Sequence, residues 1–461
     1  MTTVCCSVAV AGTAEVPPNR RVRQSRSAGQ RMGMMGVVPD GELRRPLWRN
    51  RNFVALWIGQ GLSDTGGAAS ALAYPLLILA VTGSPTTAGI VGTVAAAMGI
   101  AARVPAGAVV DQLDRRLLMI GCDVVRMACL ATLAAVIASG HVWWPLVLVV
   151  ASVDAVGGVV LDAAAYAVMP TVLPDLQLES GWAAVQARGQ ASSIGGPPLG
   201  GALFDVGRAV PFIADGISYL FSIVGLACMR GNFRARTGAT DDDTLRGRVR
   251  EGFAHIWRTP VLRAFAIQAP LINFAYTGVV FTVPVSLRLH GVSGGVIGAV
   301  LVTVSIGPLV GAMFAARISR RVPLPWLVTA IPLSSSILFG VAAVLVPSPW
   351  IAVPLAGIGL LAPAANVALM ARITRSVASD LLGRIFSNLQ FCGWSLGALA
   401  PLIAGVLVAR ANGHVAIATF VAADVAAAVV AAVHWKAWAA PADAAEDVEQ
   451  PRLSASAPDA E

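Results

Sequence analysis

Charge is what this chain has least of. Only 13% of its 461 residues are Asp, Glu, Lys or Arg, and 56% are hydrophobic. A water-soluble globular protein carries roughly a quarter charged residues, so most of this chain is built for a lipid solvent. Cysteine chemistry is equally thin. Cys5, Cys6, Cys122, Cys129, Cys228 and Cys392 contain no Cys-x-x-Cys spacing, and the five histidines are scattered. That excludes the usual metal and redox sites, so no metal and no cofactor is expected. There is no phosphate-binding Walker loop, no paired-histidine metal motif and no nucleophile elbow in a plausible setting. An enzyme and an ATP-driven pump therefore both lack their machinery in this chain.

What the chain does have is long apolar runs. Windows of about 19 residues place spans at roughly 53–80, 86–109, 117–138, 144–168, 183–206 and 209–229. A second group follows at roughly 260–287, 293–316, 326–346, 349–371, 383–408 and 414–435. Each is long enough to cross a hydrocarbon core. The expected fold is an all-α membrane protein of twelve transmembrane helices, arranged as two pseudo-symmetric six-helix halves. The run at 348–365, interrupted by Pro and Gly, is the one most easily misplaced. The corresponding domains are a tail at 1–45, a first half at 46–229, a linker at 230–258, a second half at 259–437 and a tail at 438–461. Both tails read as disordered from composition, and the linker carries a short amphipathic segment near 249–257.

The formal charge of +8 sets topology rather than nucleic-acid binding. Arginines crowd the N-terminal tail (Arg20, Arg21, Arg23, Arg26, Arg31, Arg44, Arg45, Arg49, Arg51) and the linker (Arg230, Arg234, Arg236, Arg246, Arg248, Arg250). They recur after the second, eighth and tenth spans, whereas the alternate connections Thr82–Thr86, Ser139–Val142 and Val346–Ser348 have none. Positive charge is retained on the cytoplasmic side. Both termini and the linker are thus expected in the cytoplasm, with the chain in the plasma (inner) membrane and the lipid bilayer, not nucleic acid, as its partner.

Between the second and third spans lie Gly107, Asp111, Asp114, Arg115 and Arg116. A short charged turn led by glycine suits a gate, where Gly107 permits close helix approach and the charges latch and release. The expected partner of this latch is Asp162 or a nearby helix end. Such exposed pairs are worth about 1 kcal/mol each, enough to bias two states a few kcal/mol apart. A fainter echo, Gly311, Arg317, Arg320 and Arg321, ends the eighth span, with Ala315 where Asp111 would fall.

Acids inside the spans are the other candidates. Asp64 and Asp154 lie mid-span, as does Asp424 in the twelfth. An ionised Asp at the bilayer centre costs roughly 2.5–3.5 kcal/mol even on the lenient insertion scale, so each should face a cavity or a partner. Asp64, Asp154 and Arg188 are the candidates for a proton and substrate cavity. Asp123 and Arg126, three apart, fit a static pair on one helix face. Gly196-Pro197-Pro198-Leu199-Gly200-Gly201 combines a helix-bending proline pair with small residues that allow tight packing, and should seal against leakage while the halves rock.

The Gly107–Arg116 segment resembles the loop signature of the major facilitator superfamily, and the remainder resembles its bacterial branch of siderophore exporters and drug:proton antiporters. Leu118–Arg126, Asp162 with Pro170, Gly196–Gly201, Asp215 with Ser218-Tyr219, and Gly383–Ser387 carry that likeness across residues 48–435. Three positions depart from it: Gly67 stands where an acid is common, Ala163 and Ala165 replace a proline and an arginine, and Ser192 replaces the leading glycine of the fifth-span pattern. The resemblance implies a monomeric secondary transporter that exchanges protons for a small amphipathic organic molecule by alternating access. In that superfamily the fifth-span pattern accompanies antiport, hence export; an importer or symporter of a small metabolite is the alternative on the same fold, and a non-transporting membrane protein is the alternative from another class.

Overall fold

In the computed structural model the described residues are 47–231, 233, 253–376 and 382–439. The expected N-terminal tail, most of the linker and the C-terminal residues from 440 lie outside them. Among the described residues every regular element is helical.

The first half contains α1 (Arg51–Thr82), α2 (Pro85–Gln112), α3 (Arg115–Ala138), α4 (Trp144–Val172), α5 (Asp175–Val206) and α6 (Val210–Cys228). The second contains α7 (Pro260–Leu289), α8 (Gly294–Arg321), α9 (Leu324–Leu345), α10 (Ala352–Gly357), α11 (Ala362–Ser376), α12 (Leu382–Ser395), α13 (Ala400–Arg410) and α14 (Gly413–Val433), with α15 (Trp435–Ala439) closing it. Helix is the only open-ended way to satisfy every backbone polar group in hydrocarbon. Eleven helical segments are long and apolar enough to cross a membrane, counting Pro349–Ile373 and Ile385–Arg410 as one span each. The twelfth, α5, is 32 residues long but too polar to qualify by composition.

Local chemistry sets the ends. Asn50 caps α1 by accepting from the backbone N–H groups of Asn52 and Phe53 at 3.1 and 3.2 Å. Gly83, in the left-handed region at φ +65, ends it. Ser84 then caps α2, with Pro85 at its first position, where a missing N–H costs nothing. The interrupted run at 348–365 is a single broken span: Gly359, at φ +77, lies between α10 and α11. The bare backbone around Ile358 and Leu360 fits against Gly307 and Gly311 of α8, which have no side chain to obstruct it. At the C-terminus, Trp438, expected in the tail, is fully buried in α15, and Arg372 donates to its carbonyl at 2.7 Å.

Twelve crossings bring residues 47 and 439 to the same end of the bundle, here called basal; the other end is distal. The apolar core differs between the ends. Distally it is one continuous cluster shared by both halves, running from Leu72, Leu77, Ala88 and Phe212 to Val279, Phe339, Ala400 and Phe420. Basally it divides. Phe53, Leu56, Met119, Leu161 and Leu226 form one cluster in the first half, and Ile256, Leu262, Leu369, Ile385 and Trp438 form another in the second. The halves are fused at the distal end and separate at the basal end.

Candidate functional site

The α2–α3 turn caps α3 in this conformation. Asp114 is the N-cap of α3 and accepts from the backbone N–H groups of Arg116 and Leu117 at 3.0 and 3.2 Å. Arg115 donates through Nη1 to the Ala167 carbonyl near the C-terminus of α4 at 2.9 Å, and Arg116 donates to the Ala227 carbonyl in the last turn of α6. Both cations thus meet the negative ends of helix dipoles. Of the two partners expected for this turn, a nearby helix end or Asp162, the helix ends are met in this conformation; Asp162 is exposed, as is Asp111, and neither joins an ion pair among the described residues. Gly107 makes no close approach in this conformation: a side chain at that position would meet nothing within 4 Å among the described residues. Its echo in the second half, Gly311, does make a close approach, to the Leu360 backbone.

The mid-span charges divide into two groups. Arg188 of α5 binds Asp64 of α1, Nε to Oδ2, at 2.9 Å, and not Asp162. Gly61 makes room for the arginine stem, which lies 3.3 Å from where a Cβ would sit. One turn further along α1, Thr65 and Ser192 share a hydroxyl hydrogen bond of 3.0 Å, so the serine that departs from the fifth-span pattern extends the polar seam between α1 and α5.

Asp154 belongs to the second group, inside the first half. Its Oδ1 accepts from Arg126 Nε and from the Tyr219 hydroxyl, both at 2.8 Å. The Arg126 guanidinium also lies 4.2 Å above the Tyr219 ring and 3.9 Å from Asp123. The sequence pattern pairs Arg126 with Asp123 on its own helix; the structure makes Asp154 of α4 the nearer partner. Gly157 and Gly158 of α4 give the arginine its channel, and Gly67 of α1 stands 3.9 Å from its Nη2 when given a Cβ. Asp215 of α6, fully buried, joins through Tyr219 at 3.3 Å. It is the residue that sequence reasoning passed over, although the rule that singled out Asp154, a lone acid within an apolar run, applies to it equally. Asp424 is separate, buried in α14 and bound by Ser335 and Ser336 of α9.

On the flank of the first half, α2, α3 and α4 enclose an apolar groove of about 970 Å³ lined by Met98, Leu117, Val125, Val149 and Val156, with Arg126 at its wall.

The distal closure consists of two seams between the halves. In the first, Gly201 of α5 meets the backbone of Gly294 of α8, while on the other side of α5, within the first half, Gly196 and Gly200 lie against Ala68 and Ala69 of α1. Gly298 sits on Pro197 and Pro198. Asp205 completes this seam: its two carboxylate oxygens accept from the backbone N–H groups of Gly294 and Gly295, each at 2.8 Å, at the positive N-terminus of α8. Arg288 stands 3.9 Å from the same carboxylate. The second seam joins α2 to α13. Gly89 lies on Pro401, Gly405 lies on Pro85, and Thr93 Oγ1 accepts from the Leu402 N–H at 2.9 Å.

A bundle of this architecture has known counterparts. The structure superposes on a bacterial homologue of the lysosomal transporter Spinster, solved inward-facing and unoccupied, with a TM-score of 0.62 at 15% identity, covering 86% of this chain and 98% of that one. The nucleoside transporter NupG gives 0.59 at 12% identity, covering 84% and 99%. These likenesses establish the fold. In sequence, the chain is 27% identical over 399 residues to the multidrug efflux pump Tap of Mycolicibacterium fortuitum, covering 80% of this chain and 90% of that one. It is 26% identical over 380 residues to Tap of Mycobacterium tuberculosis, covering 78% and 87%. The profile of the Major Facilitator Superfamily matches residues 56–401. With twelve crossing segments among its described residues, two halves and three quarters of its length under that profile, this chain belongs to the major facilitator superfamily.

Proposed function

We propose that the protein is a proton-coupled exporter of small amphipathic organic molecules, working by alternating access as a monomer in the plasma membrane. The observation that carries this reading is the asymmetry of the bundle: two interdigitated seams close the distal end, while the core is split at the basal end. The chain enters α1 and leaves α6 at the basal end, next in sequence to the arginine-rich tail and linker, which makes this end cytoplasmic by the distribution of positive charge. The conformation is then inward-open, ready to load from the cytoplasm. The efflux activity named for the Tap relatives supports export.

In this reading the Asp64–Arg188 pair and Asp154 serve the cavity and its wall. Gly107, Asp111, Asp114, Arg115, Arg116 and Asp162 act when the basal end closes, a state in which α2 swings toward the opposite half and gives Gly107 a neighbour. Gly196, Pro197, Gly200 and Gly201 let α5 slide on α1 and α8 without a leak.

The test is the purified protein in liposomes with an internal pH dye, challenged with a panel of lipophilic cations and neutral amphipathic antibiotics. Substrate-triggered proton movement opposite to cargo flow is expected. Cargo and protons moving in the same direction would replace the exporter with a symporter, and cargo movement indifferent to an imposed pH gradient would remove the coupling.

A further inference from the structure

We infer that Asp215, held between Tyr219 and the α1 wall, carries a transferable proton, and that Tyr219 and Asp154 connect it to the cavity. The inference rests on the proton-coupled reading above and deepens it by naming the proton's seat.

Hydrogen-bond accounting carries the inference. The Tyr219 hydroxyl lies 2.8 Å from Asp154 Oδ1 and 3.3 Å from Asp215 Oδ2. A hydroxyl has one proton to give, and the shorter contact, on a carboxylate also held by Arg126 Nε at 2.8 Å, takes it. The phenol oxygen can then only accept from Asp215, which requires a carboxylic acid there. Ser70 of α1 also faces Asp215, but its hydroxyl forms no hydrogen bond among the described residues, and Ser218 does not relieve the need. Its single proton is spent on the Asp215 backbone carbonyl at 2.7 Å, leaving a longer 3.3 Å approach to Oδ1. Gly66 of α1 covers the other side of Asp215 so closely that a Cβ there would fall 2.5 Å from Oδ1, which leaves no space for a counter-ion.

Charge accounting agrees. Facing this cluster are Asp123, Arg126 and Cys129 from α3, Asp154 from α4, Asp215 and Tyr219 from α6, and Tyr74 from α1, with Asp64 further along α1. Three carboxyl groups surround one guanidinium in the interior of a membrane-spanning half. Asp123 is fully buried and neither of its oxygens accepts a hydrogen bond, so Arg126, already bound to Asp154, is its compensation at 3.9 Å. Nothing is left for an ionised Asp215, and an uncompensated buried charge is strongly unfavourable.

Exposure gives the relay its direction. Asp215 is fully buried, whereas 14% of the Asp154 side chain is exposed. Transfer takes two linked steps. The Tyr219 O–H proton passes to Asp154 and the Asp215 proton replaces it on the phenol oxygen, leaving Asp215 ionised, Asp154 protonated and Tyr219 unchanged. While Arg126 grips Asp154 the proton stays on Asp215; loosening that grip sends it outward.

The experiment is infrared titration of the full-length protein in lipid nanodiscs, following the deuterium-sensitive C=O stretch of protonated carboxyl groups. Wild-type protein is expected to show such a band that fades as pH rises, with one protonated carboxyl lost in Asp215→Asn and the Asp215 component kept in Asp424→Asn. Tyr219→Phe should keep that component at higher frequency, because the acid loses its acceptor. This variant decides the matter if Asp215→Asn does not fold. An unchanged spectrum in folded Asp215→Asn, no shift in Tyr219→Phe, or displacement of the band by sodium ions at constant pH would overturn the inference. Parallel export of a lipophilic cationic dye driven by a pH gradient separates the two readings. Proton-driven export retained in Asp215→Asn removes Asp215 from coupling and leaves the exporter standing. A spectrum behaving as stated in a protein that moves no dye leaves the proton site standing and removes the exporter.

Discussion

Arg188 and Asp64 hold α5 to α1 through a single 2.9 Å contact that is only partly sheltered, with 10% of the arginine side chain and 27% of the aspartate side chain exposed. Each neutralises the other in a region where neither would be cheap alone. A double-mutant cycle on thermal unfolding, using Asp64→Asn and Arg188→Gln, should show the double variant costing less than the sum of the singles, with a coupling of about 1–2 kcal/mol. Additive singles would mean that the pair contributes nothing to this conformation.

The glycine positions of α5 are unequal, and the difference is measurable. Gly201 lies on the Gly294 backbone, whereas a Cβ on Gly195 would meet no atom within 4 Å. Gly201→Val should wedge the distal seam, costing about 1–3 kcal/mol by overpacking and shifting the population toward the outward-open state. Gly195→Ala should leave it alone. Spin-label distances between the distal ends of α2 and α13 report the shift.

Asp205 binds the first two N–H groups of α8, and an amide in its place keeps one acceptor and loses the charge. Hydrogen bonds to a charged group are worth about 1.5–3 kcal/mol each, and part of that is forfeited to water at an exposed site. Asp205→Asn is expected to open the distal seam in the same spin-label assay, less than Gly201→Val does. Asp205→Glu, whose longer arm cannot sit flat on the helix end, should not restore it.

Asp111 makes no ion pair among the described residues in this conformation. Asp111→Asn should therefore leave thermal stability unchanged here yet slow turnover several-fold, because its contribution falls in the basally closed state. A variant with normal transport would show that the α2–α3 turn does no more than set topology and cap α3.

The legible part of this molecule is the part governed by one-dimensional rules. Span length and spacing of apolar runs depend on neighbours in sequence, and all twelve segments lie where hydropathy places them. The largest shift is at α5, which begins at Asp175 rather than near 183, because its first two turns are amphipathic and carry no apolar signal. Asp64, Asp154 and Asp424 were legible for the same reason, since an Asp in hydrocarbon stands out whatever its partner; Asp215 obeys the same rule and was missed. The partners were not legible. Asp64 and Arg188 are 124 residues apart and Asp154 and Tyr219 are 65 apart, so each pairing depends on helix rotation and tilt. Gly107 marks the remaining gap: a glycine that permits close approach says nothing about the state in which the approach occurs.

The polarity of α5 reaches beyond the finished fold. With Arg188, Asp205 and its run of serines and glutamines, this helix falls below the apolarity of the other eleven spans. Left alone it would partition poorly from the translocation channel into lipid, since a cation at mid-depth costs roughly 2.5–3.5 kcal/mol on insertion. It becomes compatible with the bilayer once Asp64 is opposite Arg188 and α1 covers its glycine face. The first helix to be synthesised must therefore still be within reach when the fifth emerges, so insertion of the first half is a collective event. A substitution at Asp64 would then lower the amount of protein in the membrane before it altered a single transport cycle.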